Sequence, residues 1–77
     1  MAKREIPSTK RILARNLRRL RLERGLSQDD LAAEAGLRQA LISAIEVGTA
    51  NPTLDSLDRL ASALKIDLSG LLDRAAR

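Results

Sequence analysis

Arg38 and Gln39 are neighbouring residues whose side chains are able to read the edge of a nucleic-acid base. An arginine guanidinium donates two hydrogen bonds to the O6 and N7 atoms of guanine, and a glutamine amide pairs with the N6 and N7 atoms of adenine. Both residues follow Gly36 and precede a run that carries isoleucines at helical spacing. The pattern therefore predicts that the two polar side chains lie at the leading end of a helix.

The outward face of that predicted helix is less polar than its leading end. With Ile42 as the inward direction, a turn of about 100° per residue points Ala40, Ser43, Ala44 and Val47 outward. The apolar members have no donors and would contact only thymine methyl groups or sugar. Ser43 is able to reach a phosphate or a base edge, or to bond back to its own helix, and both alternatives stay open. The predicted base contacts are Arg38, Gln39, Ala40, Ser43 and Ala44.

Two short helices with a tight turn between them would position this face. The first is predicted over residues 28–35, where Ser27 and Asp30 form a capping box. The chain then reverses at Gly36, where a left-handed conformation is least costly for glycine. The second helix is predicted over residues 39–47 and ends at Gly48. Together they form a helix-turn-helix, although the same features also fit a plain helical bundle.

Three further helices complete an all-α fold. Ser8 or Thr9 caps the first predicted helix, Thr53 caps the fourth and Asp67 caps a short fifth helix. We therefore expect five helices in one compact domain over residues 9–73, with a flexible basic arm at 1–8 and a short tail at 74–77.

Charge is concentrated in the first third of the 77-residue chain. Residues 1–26 carry nine Lys or Arg and two Glu, a net of +7, whereas residues 27–77 carry a net of −3. A strongly basic N-terminal segment, followed by a remainder of mixed charge, suggests a polyanionic partner. A basic helix that only keeps a small protein soluble gives the same totals, so the charge alone leaves both readings open.

The composition argues against catalysis and against a membrane location. His, Cys and Tyr are absent, and no phosphate-binding glycine loop is present. Asp29 and Asp30 are explained as residues of a helix start, so we expect no metal and no cofactor. No apolar run has the length of a signal peptide or a membrane span. We expect a cytoplasmic protein that is not an enzyme, with no membrane contact and no small-molecule effector.

Four short motifs occur together along the chain. They are Gly25-Leu26-Ser27-Gln28-Asp29-Asp30-Leu31-Ala32, Gly36-Leu37, Ile42-Ser43 with Ile45-Glu46 and Gly48, and Asn51-Pro52-Thr53-Leu54. Together these motifs resemble the Cro and phage-repressor (Xre-type) helix-turn-helix family, including its restriction–modification controller proteins. The resemblance covers roughly residues 10–72. It implies a five-helix, repressor-like DNA-binding domain, with the helix-turn-helix formed by helices 2 and 3, that works as a two-fold dimer.

The resemblance also implies roles for residues outside the predicted reading helix. Gln28 would contact a phosphate at the start of the second helix. Arg21 and Glu46 match the positions of a buried ion pair, which we expect to be structural. Arg38 stands where the family usually has a capping residue, and Val47, Thr49 and Ala50 stand where it often has polar or basic ones. The loop would therefore make fewer phosphate contacts, and the basic arm and first helix would compensate for them. The predicted contacts to the DNA backbone are Gln28, Arg15, Arg18, Arg19, Thr49 and Asn51.

These inferences predict a transcriptional regulator that binds double-stranded DNA. It would bind a pseudo-palindromic operator through the major groove as a homodimer. The alternative is a protein-interaction module, such as an antitoxin that binds a toxin and represses its own operon. Four apolar residues near the C-terminus either form the dimer interface or simply close the core. They are Ile66, Leu68, Leu71 and Leu72.

Overall fold

The computed structural model describes residues 8–75, which form five helices. They are α1 (Thr9–Glu23), α2 (Gln28–Ala35), α3 (Gln39–Glu46), α4 (Leu54–Leu64) and α5 (Leu68–Leu71). The all-α, five-helix prediction is confirmed, and the predicted helix-turn-helix is α2 with α3. Residues 1–7 of the predicted arm and residues 76–77 of the predicted tail lie outside the described residues.

Short polar side chains begin three of the helices, as the sequence predicts. The Ser8 Oγ accepts a hydrogen bond from the Arg11 amide, and Thr53 caps α4 in the same way. Ser27 and Asp30 form the complete capping box of α2. Asp67 is different, because it occupies the N-cap position of α5 without a side-chain hydrogen bond. The four-residue α5 therefore depends on packing for its stability.

The turn between α2 and α3 requires glycine at position 36. Gly36 has φ +69° and ψ +35°, the left-handed region, and the Leu37 amide donates to the Ala32 carbonyl at 2.9 Å. This six-to-one hydrogen bond is typical of a helix that ends in a left-handed glycine. Arg38 then precedes α3 and makes no capping hydrogen bond.

The core is built from aliphatic side chains of all five helices. Helix α3 packs against α1 and α2, while α5 packs against α1 and α4. Leu71 is fully buried, so its assignment to a dimer interface is wrong, because its side chain faces this core and not solvent. Ile66, Leu68 and Leu72 are half-buried and pack against the same core. The fully buried core residues include Leu17, Leu31, Ile42, Leu60 and Leu71.

The segment that follows α5 is tied to α1 by polar side chains. Asn16 is fully buried, and its Nδ2 donates to the carbonyls of Leu71 and Asp73, both at 2.9 Å. Nearby on α1, Arg15 Nη2 donates to the Arg74 carbonyl at 3.2 Å. Because the last carbonyls of a helix have no partner within the helix, Asn16 supplies the donor that α5 itself lacks.

Candidate nucleic-acid interface

The outer face of α3 carries the residues that the sequence predicts as base contacts. Arg38, Gln39 and Ala40 are exposed, and Ser43 and Ala44 are half-buried. The inward residues Ile42 and Ile45 are buried. Since α3 begins at Gln39, the two long polar side chains of the set stand at its first turn. Their contact with bases stays a prediction.

Gln39 is held by a chain of hydrogen bonds that begins in the core. Arg21 Nε donates to Glu46 Oε2 at 2.7 Å, and Arg21 Nη2 donates to Glu46 Oε1 at 2.9 Å. Gln28 Nε2 donates to the same Oε1 at 3.2 Å. Gln39 Nε2 in turn donates to Gln28 Oε1 at 2.6 Å. The chain therefore joins α1, α2 and both ends of α3.

The Arg21–Glu46 ion pair that the family resemblance implies is present, and it is enclosed. The two side chains are only 8% and 4% exposed. Burial by itself would raise the pKa of Glu46, but hydrogen bonds from Arg21 and Gln28 and the positive charges of Arg21 and Arg18 outweigh it and lower that pKa. Arg21 Nη1 also donates to the Leu26 carbonyl at 2.8 Å. The pair therefore links α1 to the α1–α2 turn and to the end of α3.

The three arginines predicted as phosphate contacts have different surroundings. Arg18 is exposed, and its charge is close enough to lower the pKa of Glu46. Arg15 is also exposed but donates to the segment after α5. Arg19 pairs with Glu23 at 3.1 Å, and its side chain is only 25% exposed. Arg15 and Arg19 are therefore engaged within the protein, and Arg18 is the exposed arginine of the three whose charge reaches Glu46.

The loop after α3 holds the two remaining predicted phosphate contacts. Thr49 is exposed, and both its amide and its hydroxyl donate to the Ala44 carbonyl, at 3.0 and 3.3 Å. Asn51 is exposed and borders an open apolar groove of about 490 Å³. Thr49 therefore closes the end of α3, and its hydroxyl is already engaged as a donor.

The described residues show neither a metal cluster nor a membrane-spanning helix. Within residues 8–75, no three His, Cys, Asp or Glu side chains lie where they would share a metal ion. The helices in this range are also too short or too polar to cross a bilayer.

Sequence reasoning missed the position of Gln28 between Glu46 and Gln39. The signal was present, because Gln39 and Glu46 are seven residues apart and therefore share one face of a helix. What the sequence lacked was the crossing of α2 over that face, which depends on tertiary packing.

Comparison with known proteins places the chain in a family. A family model described as helix-turn-helix matches residues 17–71. Control protein C.SmaI of Serratia marcescens is 42% identical over 65 residues, covering 84% of this chain and 77% of that protein. The solved structure of a hypothetical transcription factor, NHTF from Neisseria, superimposes with a TM-score of 0.82 at 32% identity, covering 94% of this chain and 86% of that one.

A second similar structure was solved with DNA bound. SinR of Bacillus subtilis, a master regulator for biofilm formation solved in complex with DNA, has a TM-score of 0.76 at 29% identity, covering 79% of this chain and 98% of that one. The family model covers more than half of the present chain. Its members are regulators rather than enzymes, in agreement with the expectation that this chain is not a catalyst. The chain belongs to the helix-turn-helix family of transcriptional regulators.

Proposed function

We propose that this protein is a sequence-specific regulator that binds a pseudo-palindromic operator through the major groove. The observation that carries the proposal is the exposed polar end of α3, where Arg38 and Gln39 stand free of the core. A helix that presents an arginine and a glutamine at its first turn offers the donors and acceptors that the major groove displays for guanine and adenine. The DNA complex of the similar protein SinR supports the same use of the fold.

Base recognition is concentrated at the start of α3 in this proposal. Ala40 and Ala44 contact thymine methyl groups or sugar, because neither side chain has a donor, and Ser43 reaches a phosphate or a base edge. Arg18 and Gln28 bind phosphates beside α3, and Asn51 does so at its other end, where the amide and the hydroxyl of Thr49 both already donate to the Ala44 carbonyl. Such contacts fix the position of the protein on the duplex without reading sequence. Arg15 and Arg19 contribute charge more than direct contacts, since both are engaged within the protein.

The protein acts as a homodimer in this proposal. One α3 spans only a few base pairs, and two copies related by a two-fold axis would read half-sites about 10 bp apart. Ile66, Leu68 and Leu72 form part of the interface. Leu72 also lines the apolar groove between α1 and α4, where Leu54 is 72% exposed. An exposed leucine beside an apolar groove is suited to a second copy of the same surface.

The direct test is selection of bound sequences from a random DNA library, followed by titration at two salt concentrations. We expect a pseudo-palindromic motif and an affinity that falls steeply with salt, because phosphate contacts release counterions. Arg38→Ala should relax the preference at one base pair per half-site, by about 1–3 kcal/mol. Arg59→Ala, an exposed arginine of α4, is the matched control and should leave the motif unchanged. Failure to enrich any motif would refute the proposal.

Sedimentation equilibrium tests the dimer separately. We expect a dimer at micromolar concentration and a monomer for Leu54→Glu, which places a charge on a residue that the core does not use. A wild-type protein that remains monomeric both alone and on its selected DNA would contradict the dimer without affecting the reading of bases.

A further inference from the structure

We infer that the outer face of α3 recognises the methyl group at C5 of a pyrimidine, and therefore binds 5-methylcytosine in place of thymine. The inference rests on the proposed DNA-binding function and extends it to operators that carry a methylated base. It concerns three apolar residues behind the polar end of α3, here called the apolar stripe: Ala40, Ala44 and Val47.

The apolar stripe adjoins the polar end of α3 and lies on the outward side of the helix. Its members are four and three residues apart, so their side chains lie above one another. Val47 is 68% exposed, although valine is among the residues most often buried. The stripe is about 10 Å long, which corresponds to about three base-pair steps. Because Ala40 directly follows Gln39, DNA that contacts Gln39 in the major groove also covers the stripe.

The backbone beside Val47 is already engaged in hydrogen bonds within the protein. The amides of residues 47–50 all donate to carbonyls of α3, at 3.0 to 3.3 Å. The Thr49 hydroxyl donates to one of these carbonyls, that of Ala44, at 3.3 Å. The side chains of Ala44 and Val47 carry no donor or acceptor of their own. Both residues therefore contact a base through apolar surface alone.

An apolar surface distinguishes pyrimidines at C5 and not at C4. In the major groove thymine presents O4 and a methyl group, whereas cytosine presents its N4 amino group and a bare C5. A surface without donors or acceptors does not separate O4 from N4. Ser43, four residues before Val47, adds a hydroxyl that both donates and accepts, so it bonds to either group. Since 5-methylcytosine carries its methyl group where thymine does, the stripe binds the two bases alike.

The methyl group is large enough to decide whether an operator is occupied. Moving one such group from water to an apolar surface corresponds to about a fourfold change in the binding constant. A dimer makes this contact in both half-sites, so the change for a symmetric operator is about fifteenfold. A site with cytosine at this position is therefore bound weakly until that cytosine is methylated at C5.

The test varies one pyrimidine of the operator selected from the random library, at the same position in both half-sites. Four duplexes carry thymine or uracil opposite adenine, and cytosine or 5-methylcytosine opposite guanine. Their dissociation constants are measured by fluorescence anisotropy at one salt concentration, for each pyrimidine of the motif in turn. At one position or more we expect thymine and 5-methylcytosine to agree within about twofold, and uracil and cytosine to bind about tenfold more weakly.

Val47→Ala assigns this methyl preference to the stripe. The substitution shortens an exposed side chain and leaves the core intact, so circular dichroism should show an unchanged fold. At one position the advantage of the methylated bases should fall to about threefold or less, because less apolar surface remains against the methyl group. The preference at the position contacted by Arg38 should not change. Arg18→Gln is the matched control, which should weaken all four duplexes alike and keep the methyl preference.

Three results would overturn the inference. The first is equal binding of thymine and uracil at every position. The second is tight binding of thymine with weak binding of 5-methylcytosine, since the protein would then recognise the group at C4. The third is a methyl preference that Val47→Ala leaves unchanged at every position. If the wild-type protein selects no motif, the proposed function fails before any duplex is compared, so the two failures are distinguishable.

Discussion

Replacement of Arg21 by methionine should lower the free energy of unfolding at neutral pH, and this loss should become smaller in acid. Methionine keeps most of the side-chain volume but leaves the Glu46 carboxylate, whose side chain is 4% exposed, without its cation. Breaking an enclosed pair on one side costs about 3 kcal/mol or more. The Leu26 carbonyl loses its 2.8 Å donor as well. We expect a loss of about 3 kcal/mol in unfolding free energy at pH 7.

The sign of the pH effect follows from the pKa of Glu46. In the wild-type protein that pKa is lowered, so the carboxylate stabilises the fold above its ordinary pKa of about 4.3 and this contribution is lost as the pH falls through the lower, folded-state value. Without Arg21, burial still raises the pKa of Glu46, while only Gln28 and Arg18 still lower it. The folded-state pKa of Glu46 is therefore higher in the variant than in the wild-type protein.

The two proteins should consequently become more similar in stability in acid. Each unit of difference between the two folded-state pKa values corresponds to about 1.4 kcal/mol. We expect the stability difference to shrink by at least about 1 kcal/mol between pH 7 and pH 3. Urea denaturation followed by circular dichroism, at one protein concentration, measures it at each pH. Arg59→Met is the control, because its pair with Asp55 is more than half exposed and contributes about 0.5 kcal/mol at most.

Two results would refute this reasoning. A stability difference that stays constant from pH 7 to pH 3 would mean that the charge of Glu46 is not what Arg21 stabilises. The second test is the double variant Arg21→Met with Glu46→Met, which removes both charges and fills the space with apolar side chains. It should be more stable than Arg21→Met alone, since no enclosed charge is left unpaired. A double variant that is less stable would show that packing, not charge, dominates at this place.

Three further substitutions test two left-handed glycines and the side chain that anchors α5. Gly36→Ala should cost about 1–2 kcal/mol, and Gly25→Ala, at φ +68° with no atom of the described residues within 4 Å of an added Cβ, should cost about the same. A much larger loss at Gly36 would mean that Arg59, 3.2 Å from that Cβ, cannot move aside. Asn16→Leu should cost about 1–3 kcal/mol and speed hydrogen exchange in α5, because two carbonyls lose their donor. Unchanged exchange there would contradict the anchoring role.

The helix-turn-helix could be predicted from the sequence because local signals specify it. The capping box at Ser27 and Asp30 fixes the start of α2, and Gly36 fixes its end, each through contacts within a few residues. Such contacts form in the same way in any tertiary surroundings. The Arg21–Glu46 pair joins residues that are 25 positions apart in the sequence. It was predicted only from resemblance to a family, not from spacing.

The error at Leu71 has a different origin. Ile66, Leu68, Leu71 and Leu72 are equally apolar, and a helix of four residues has too little periodicity to separate an inward face from an outward one. The structure distinguishes these four residues, because α5 packs against α1 and α4 and directs the Leu71 side chain into the core. Asn16 was missed for a related reason. An asparagine interrupts the hydrophobic face of a helix, and its burial can be predicted only when the carbonyl groups that accept its hydrogen bonds are known.

Glu46 takes part in two interactions, the ion pair with Arg21 and the hydrogen bond from Gln28, and a substitution of Glu46 removes both. Its Oε1 accepts from both Arg21 and Gln28, so any substitution there leaves a buried guanidinium unpaired and releases Gln28 at the same time. A substitution of Gln28 separates the two interactions, since Gln28 contacts Glu46 on one side and Gln39 on the other. Changing Gln28 leaves both Arg21 contacts in place. Little loss of unfolding free energy in Gln28→Met, beside the loss of about 3 kcal/mol expected for Arg21→Met, would therefore assign the stability of this region to the ion pair.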